Sequence, residues 1–445
     1  MSSKTPNRDD IVRPMQQTGK MYYAVFAAAS LIAGIWMLLW LYQVDRGLAV
    51  TGLSDWGSGG GVTWGLYIGA FIWWVGIAHG GIILSAAVRL FGMKKYLPVA
   101  RLAELLTIGA LSMAGFYIMI HLGRPDRMAW SVIQSYPVTV HQSPLVWDVT
   151  VITMYMVMTL TYLGLTLRYD ITRLRSDLPD IFEPFYKIAT IGYTEKEDEI
   201  VERMVWWLAL GIIVMAPLLL HGGVIPWLFA LLPSMPGWAG AIQGPQFLTI
   251  ALSSAVAGII ILGLATRRAY DWYHIITDTV IRGLTLWLGL FCLLFLWLQL
   301  QQVITGVFAA PIDSGAVTSA KISSPVYQFA IGLVILALIY IFAQAVKPHL
   351  FTVQRSLAAS VMVLTGTLVE KVFFVVEGLQ YPTFSMHYSI PGDYFPSPIE
   401  MASVAGTIAL CTLFFLVILK MFPVIELHAI EELRNEGHSA PEGDD

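Results

Sequence analysis

The chain has 445 residues, of which 57% are hydrophobic and 13% charged, with a formal net charge of −4 and a mean hydropathy of +0.68. An ordinary soluble domain carries about 25% charged residues, so the solvent for most of this chain must be lipid, and the acidic balance argues against a nucleic-acid partner. The two cysteines, Cys292 and Cys411, lie in apolar stretches and cannot hold an iron–sulfur cluster, which takes about four ligands.

A spanning helix needs about 20 mostly apolar residues. The first twenty residues are polar, and the apolar run after them is too long for a signal-peptide core, so it reads as a retained first helix. Ten segments qualify as spans: 21–44, 62–88, 97–122, 144–168, 202–221, 245–266, 281–308, 325–346, 352–379 and 397–422. The fifth ends in Pro217, His221, Gly222, Gly223 and Pro226. The apolar stretch that follows, Trp227 to Leu232, is too short to span and is expected to lie at the interface or re-enter. The expected organisation is a tail over 1–20, a ten-helix membrane domain over 21–422 and a second tail over 423–445.

Lysine and arginine set the orientation. With the N-terminus in the cytoplasm, 21 of the 26 fall on the cytoplasmic side, four on the opposite side, and Lys371 within a span. That asymmetry is expected to place both termini in the cytoplasm; the chain is expected in the inner membrane of a bacterial or archaeal cell. The largest cytoplasmic loop, 169–201, mixes charges and aromatics and is expected to form an amphipathic surface element.

Ionisable residues are costly in lipid and usually face the bundle interior. His79 lies in the second span, Glu104 near the start of the third, and Glu370, Lys371 and Glu377 in the ninth. Glu370 and Lys371 are neighbours in sequence, so on a helix they are expected to point apart and pair elsewhere. His121 closes the third span, Asp148 lies one turn into the fourth and His221 ends the fifth. The alternating direction of the spans brings these three to the outer level. A histidine and a carboxylate can each accept a hydrogen bond and a proton near neutral pH, as a quinol losing its protons requires. Arg124 could hold Asp148 ionised, although Arg124 and Arg127 suit headgroup anchors equally well. His141, in a loop, reads as surface. His79, Glu104, Glu370 and Glu377 could form part of a proton path or serve as structural pairs.

These residues sit in motifs that resemble the NrfD/PsrC membrane subunits of polysulfide-reductase-type complexes. The match runs in order through "GVTWGLYIGAFIWWVGIAHGGIILSAAVRLF", "RLAELLTIGALSMAGFYIMIHLGRPDR" and "SPLVWDV". "GLAVTGL", "YFPSPIEMASVAGT" and "KMFPVIELHAIEEL" are similar to the ten-helix branch, the ActC-type subunit of alternative complex III. The resemblance implies an all-α polytopic protein of two four-helix bundles plus flanking helices. It also implies a quinone or quinol site near the outer face, for menaquinone or ubiquinone, with no haem, iron–sulfur cluster or metal in this chain. His121 and Asp148 match the family's quinol-site residues, with Arg124 and His221 beside them. The implied partners are an iron–sulfur subunit, multihaem or mono-haem cytochrome c subunits and a second NrfD-like membrane subunit, with coupling to proton translocation open. The chain departs from the pattern at Leu228, where an acidic residue is expected, and near Gln380 and Tyr381, where a basic one is.

Other classes remain to be weighed. A membrane anchor of a molybdopterin-type polysulfide or sulfoxide reductase shares the same family. A di-haem cytochrome b needs paired axial histidines, and no single predicted span carries two of the nine histidines. An ion or solute transporter would suit ten helices with one broken, but no internal repeat is evident.

Overall fold

The computed structural model describes residues 6–53, 64–142, 144–219, 225–308, 312–381 and 394–439. Among them sixteen α-helices follow one another: α1 (Arg8–Gln16), α2 (Lys20–Arg46), α3 (Leu66–Leu90), α4 (Leu97–His121), α5 (Tyr136–Thr139), α6 (Pro144–Arg173), α7 (Glu183–Ala189), α8 (Asp198–Leu219), α9 (Ile225–Ala230), α10 (Gln243–Tyr270), α11 (Asp278–Phe308), α12 (Ile312–Ser323), α13 (Pro325–Val346), α14 (Val353–Gln380), α15 (Pro398–Met421) and α16 (Leu427–Ser439). No strand occurs among the described residues. In lipid every backbone N–H and C=O must be satisfied within the segment, which leaves helices for runs as apolar as these.

Nine helices among the described residues are long and apolar enough to cross a membrane. They correspond to nine of the ten predicted spans, with ends shifted by a few residues. The remaining predicted span is α8, 22 residues long; its expected end at 221 lies outside the described residues. The stretch after it forms the short α9, whose Ile225, Pro226 and Phe229 are buried.

Two four-helix bundles account for eight of the ten long helices. In the first, α3 packs on α4 and α8, and α6 closes the ring against both. In the second, α10 and α13 each pack on both α11 and α14. Helix α3 joins the bundles, touching α10 and α14 as well as its own partners, and almost every residue from Leu66 to Val88 is buried. Small residues permit this crowding, as they do between helices generally in membranes. A Cβ on Gly69 would lie 2.6 Å from Val372 Cα, and one on Gly80 would lie 2.6 Å from the Ala251 carbonyl oxygen. On the flank, α2 pairs with α15, and α15 reaches α4. Most of α2 is exposed, with Leu31, Ile35 and Leu38 facing outward, as a lipid-facing helix should be.

The polar ends carry structure that the sequence left as tails. Asn7 and Asp10 form a capping box that starts α1. Buried Asp10 then accepts from His274 Nε2 at 2.9 Å, and its carbonyl accepts from Trp272 Nε1 at 3.0 Å. Helix α1 touches α16, and Lys94 pairs with Glu432, so both terminal segments dock on one face of the bundles. The 169–201 loop lies on that face too: Tyr186 donates to the Met421 carbonyl at 2.5 Å. His121, the start of α6 and the end of α14 are at the opposite face.

The α3–α10 contact yields a direct test. Gly80→Ala drives a methyl into the Ala251 backbone and should lower stability by about 1–3 kcal/mol, read as a fall in Tm of the purified protein in detergent. Gly34→Ala on α2, where nothing lies within 4 Å, should leave Tm nearly unchanged.

Candidate functional site

The face away from the termini brings the ends of α4 and α6 together. His121 is the last residue of α4. The chain then turns at Gly123, whose φ of +66° suits glycine best. His121 is half-buried, and its Nδ1 has no hydrogen-bond partner among the described residues. The 124–142 loop returns to α6 through Trp147 Nε1, which donates to the Val140 carbonyl at 2.6 Å, and through Tyr136 and Thr150, whose hydroxyls are 2.9 Å apart.

Asp148 lies one turn into α6 and is 1% exposed. Neither of its oxygens has a hydrogen-bond partner among the described residues. It faces a crevice of about 10 Å³ lined by Trp64, Ile68 and Phe71 and by Leu228 and Phe229 of α9, room for about one water. Trp64, Phe229 and Trp238 form an aromatic cluster there, with ring centroids 5.1–5.6 Å apart in edge-to-face and tilted arrangements. A carboxylate so enclosed and unserved is costly, and in a membrane such a residue marks a site by default.

The expected support from Arg124 is absent. Its guanidinium forks onto Asp126, at 2.9 and 2.7 Å, and the two side chains are 61% and 59% exposed. Two residues apart across a turn, they satisfy each other in solvent, and Asp126 is held below its ordinary carboxylate range by that hydrogen bond. No hydrogen bond joins His121 to Asp148 either. His221 lies outside the described residues.

Helix α6 extends the polar face inward. Asp148, Tyr155 and Tyr162 recur every seven residues, about 10.5 Å apart along the axis, and all are at most 1% exposed. His79 of α3 lies against Tyr155, with centroids 4.9 Å apart, and the Arg89 guanidinium lies 5.3 Å from the Tyr162 ring centroid. At the termini-side end the column meets a buried ionic cluster. Arg101 pairs with Asp170 and Arg89 with Glu426, while Glu104 accepts from Ser85 at 2.7 Å and lies 3.5 Å from Arg89. Arg101 also donates to the Pro423 carbonyl at 3.1 Å, and the Leu427 N–H donates to Asp170 at 3.3 Å. The cluster thus fastens the chain after α15 to the first bundle.

The four residues grouped as a possible proton path therefore separate. His79 and Glu104 belong to the first bundle, and Glu370 and Glu377 to the second. Glu370 and Lys371, expected to point apart, form an ion pair at 3.1 Å; their long side chains bend toward each other from adjacent helical positions. Lys321 counts in the sequence as an ordinary outer-loop cation and is not a site candidate there. It is 8% exposed on α12 and bonds to Gln299 and Gln302. The only sequence signal was a lone lysine in an otherwise apolar and small-residue loop.

Comparison with known proteins adds the lineage. Residues 56–383 match the family model described as polysulphide reductase, NrfD. A provisionally named membrane subunit of a dimethyl sulfoxide reductase from Halobacterium salinarum is 25% identical, covering 94% of this chain and 95% of that protein. A selenate reductase subunit of Mesobacillus selenatarsenatis is 23% identical over 95% and 98% of the two chains. The Hdr-like menaquinol oxidoreductase integral membrane subunit of Archaeoglobus fulgidus is 22% identical over 92% and 96%.

The ionic cluster predicts a stability effect. Arg101→Met strands Asp170 and should cost about 3–5 kcal/mol, seen as a lower Tm of the assembled protein. Combining it with Asp170→Leu should recover part of the loss, because no buried charge is then left alone.

Proposed function

The chain belongs to the NrfD polysulphide reductase family, and from that premise we propose that it is the quinol-oxidising membrane subunit of a respiratory electron-transfer complex. The observation that carries this reading is Asp148, a buried carboxylate with no partner among the described residues, at the same membrane face as His121 and lined by aromatic and apolar side chains. The apolar walls suit a quinone ring, and the unserved oxygens suit its hydroxyls. Opening the crevice to a ring requires Leu228, Phe229 or Trp64 to swing aside.

Quinol oxidation releases two electrons and two protons. Neutral His121 accepts a hydrogen bond from one hydroxyl and takes its proton, while Asp148 accepts from the other or passes the proton outward. Arg124, bonded to Asp126, is given no part in this step; His221, expected at the same level from the direction of its span, completes the proposed set. The electrons leave to a partner protein docked on the same face, for which an iron–sulfur protein is the proposed chemistry. A second membrane subunit of this family and cytochrome c subunits would complete an alternative complex III. The lysine and arginine asymmetry supports cytoplasmic termini, and with them a site near the outer face of the inner membrane.

A second reading is favoured by the names of two relatives, a dimethyl sulfoxide reductase and a selenate reductase subunit. Here the chain would anchor a molybdopterin-type reductase, and the same site would deliver quinol electrons to it. The menaquinol oxidoreductase relative favours menaquinol as the donor in either assembly.

His121→Ala or Asp148→Asn in the intact complex should lower quinol-dependent turnover at least about tenfold, since general acid–base assistance is typically worth about 10²–10⁴. His141→Ala, on an exposed loop residue, should change little. Normal turnover by an assembled Asp148→Asn complex would make that residue structural.

A further inference from the structure

A cavity in the second bundle lies apart from Asp148. It measures about 330 Å³ and opens between the α9–α10 connection, the end of α11 and α12, with room for several waters. Gly240, Gly306, Ser314 and Thr318 keep its walls small, while Gln302, Lys321 and Glu377 supply its chemistry. Glu377 is 6% exposed, and no hydrogen bond or ion pair involves it among the described residues. Its carboxyl is therefore buried, unpartnered and aimed into a space that water can enter.

Behind the cavity a chain of contacts leads toward the middle of the bundle. The Lys321 ammonium donates to Gln302 Oε1 at 2.8 Å and to Gln299 Oε1 at 3.1 Å. Gln246 donates to the same Gln302 oxygen, and Tyr327 to the same Gln299 oxygen. Gln299 Nε2 then donates to Glu370 Oε1 at 3.0 Å, and Glu370 pairs with Lys371. The Lys371 ammonium also sits 3.8 Å from the Phe247 ring centroid. Each inner charge is thus provided for. Lys321 is fixed on two neutral amides instead of a carboxylate, and Glu377 is left to the cavity. A purely structural pair would close Lys321 directly onto Glu377.

We propose that this cavity is a proton-exchange site: Glu377 takes up and releases protons to water at the face away from the termini, and Lys321, positioned by Gln299 and Gln302, sets the charge that Glu377 meets. The charged and titratable groups around it are Lys321 from α12, Glu370 and Lys371 from α14 and Tyr327 from α13; α10 and α11 present only glutamines. The exchange moves a proton between water and the carboxyl and needs no other reactant. It is independent of quinol chemistry at Asp148, so either can fail without the other.

A water-soluble carbodiimide, which activates protonated carboxyls, tests this on the native complex in oriented membrane vesicles, with modified peptides mapped by mass spectrometry. Glu377 should be modified from the face opposite the termini and not from the termini face, and modification should fall as pH rises. Glu377→Gln should remove that modified peptide while quinol-dependent turnover stays within about twofold, since general acid–base losses at the quinol site would be about 10²-fold or more. Lys321→Met should leave Glu377 roughly tenfold more modified at alkaline pH, because losing an opposite charge nearby shifts a carboxyl by about one unit or more; Lys321→Arg should keep the native profile. No modification of Glu377 from either face, or modification only from the termini face, would overturn the proposal, and so would a native profile in Lys321→Met. If Lys321→Met does not assemble, the sidedness and pH profile of the native protein decide.

Discussion

The constraint on which the rest of this chain depends is the cost of burying ionisable groups in an apolar bundle. With 57% hydrophobic residues, the bundles solve the backbone by forming helices, but each carboxylate or cation inside them needs a partner or a purpose. Three of the buried polar groupings show the range. The cluster of Arg89, Arg101, Glu104, Asp170 and Glu426 is paired internally and fastens the chain after α15 to the first bundle. The second-bundle chain from Lys321 to Lys371 is paired except at Glu377. Asp148 is paired with nothing among the described residues. Structure accounts for the first grouping, and chemistry is the better explanation where partners are missing.

The arrangement of the bundles gives these places their relation. Helix α3 is shared, and glycines at 69 and 80 let it contact α10 and α14 closely. The α9 segment and Trp238 then bridge both bundles at one face: Phe229 lines the Asp148 crevice, while Trp238 donates to the Phe374 carbonyl on α14 at 2.9 Å. The proposed quinol site and the proposed proton-exchange site therefore share a face and a supporting aromatic cluster, yet keep separate sets of titratable groups.

The long helices were legible in the sequence because lipid imposes one simple rule, a run of about 20 apolar residues, and their ends fell within a few residues of those observed. Short elements were not. Helix α1 is polar, and although its capping box is local, the bond that docks it, from Trp272 to the Asp10 carbonyl, joins residues 262 positions apart. The depth of Asp148 was legible from its place one turn into a span, but its isolation was not. Arg124 was expected to hold Asp148 ionised at the outer level, and the turn at Gly123 instead left that arginine to Asp126. Lys321 was hidden for the opposite reason: charge counting treats every loop cation alike, and only tertiary packing shows that α12 folds this one inward.

The central claim is that quinol meets this chain at the ends of α4 and α6. An azido-substituted quinone, bound to the intact complex and photolysed, tests it most directly, because the covalent label records contact without requiring turnover. The account predicts labelled peptides that contain His121 or Asp148, or the facing residues Trp64 and Phe229, with labelling suppressed by excess unmodified quinone. Suppressible label confined to the second bundle, around Lys321 and Glu377, would contradict it.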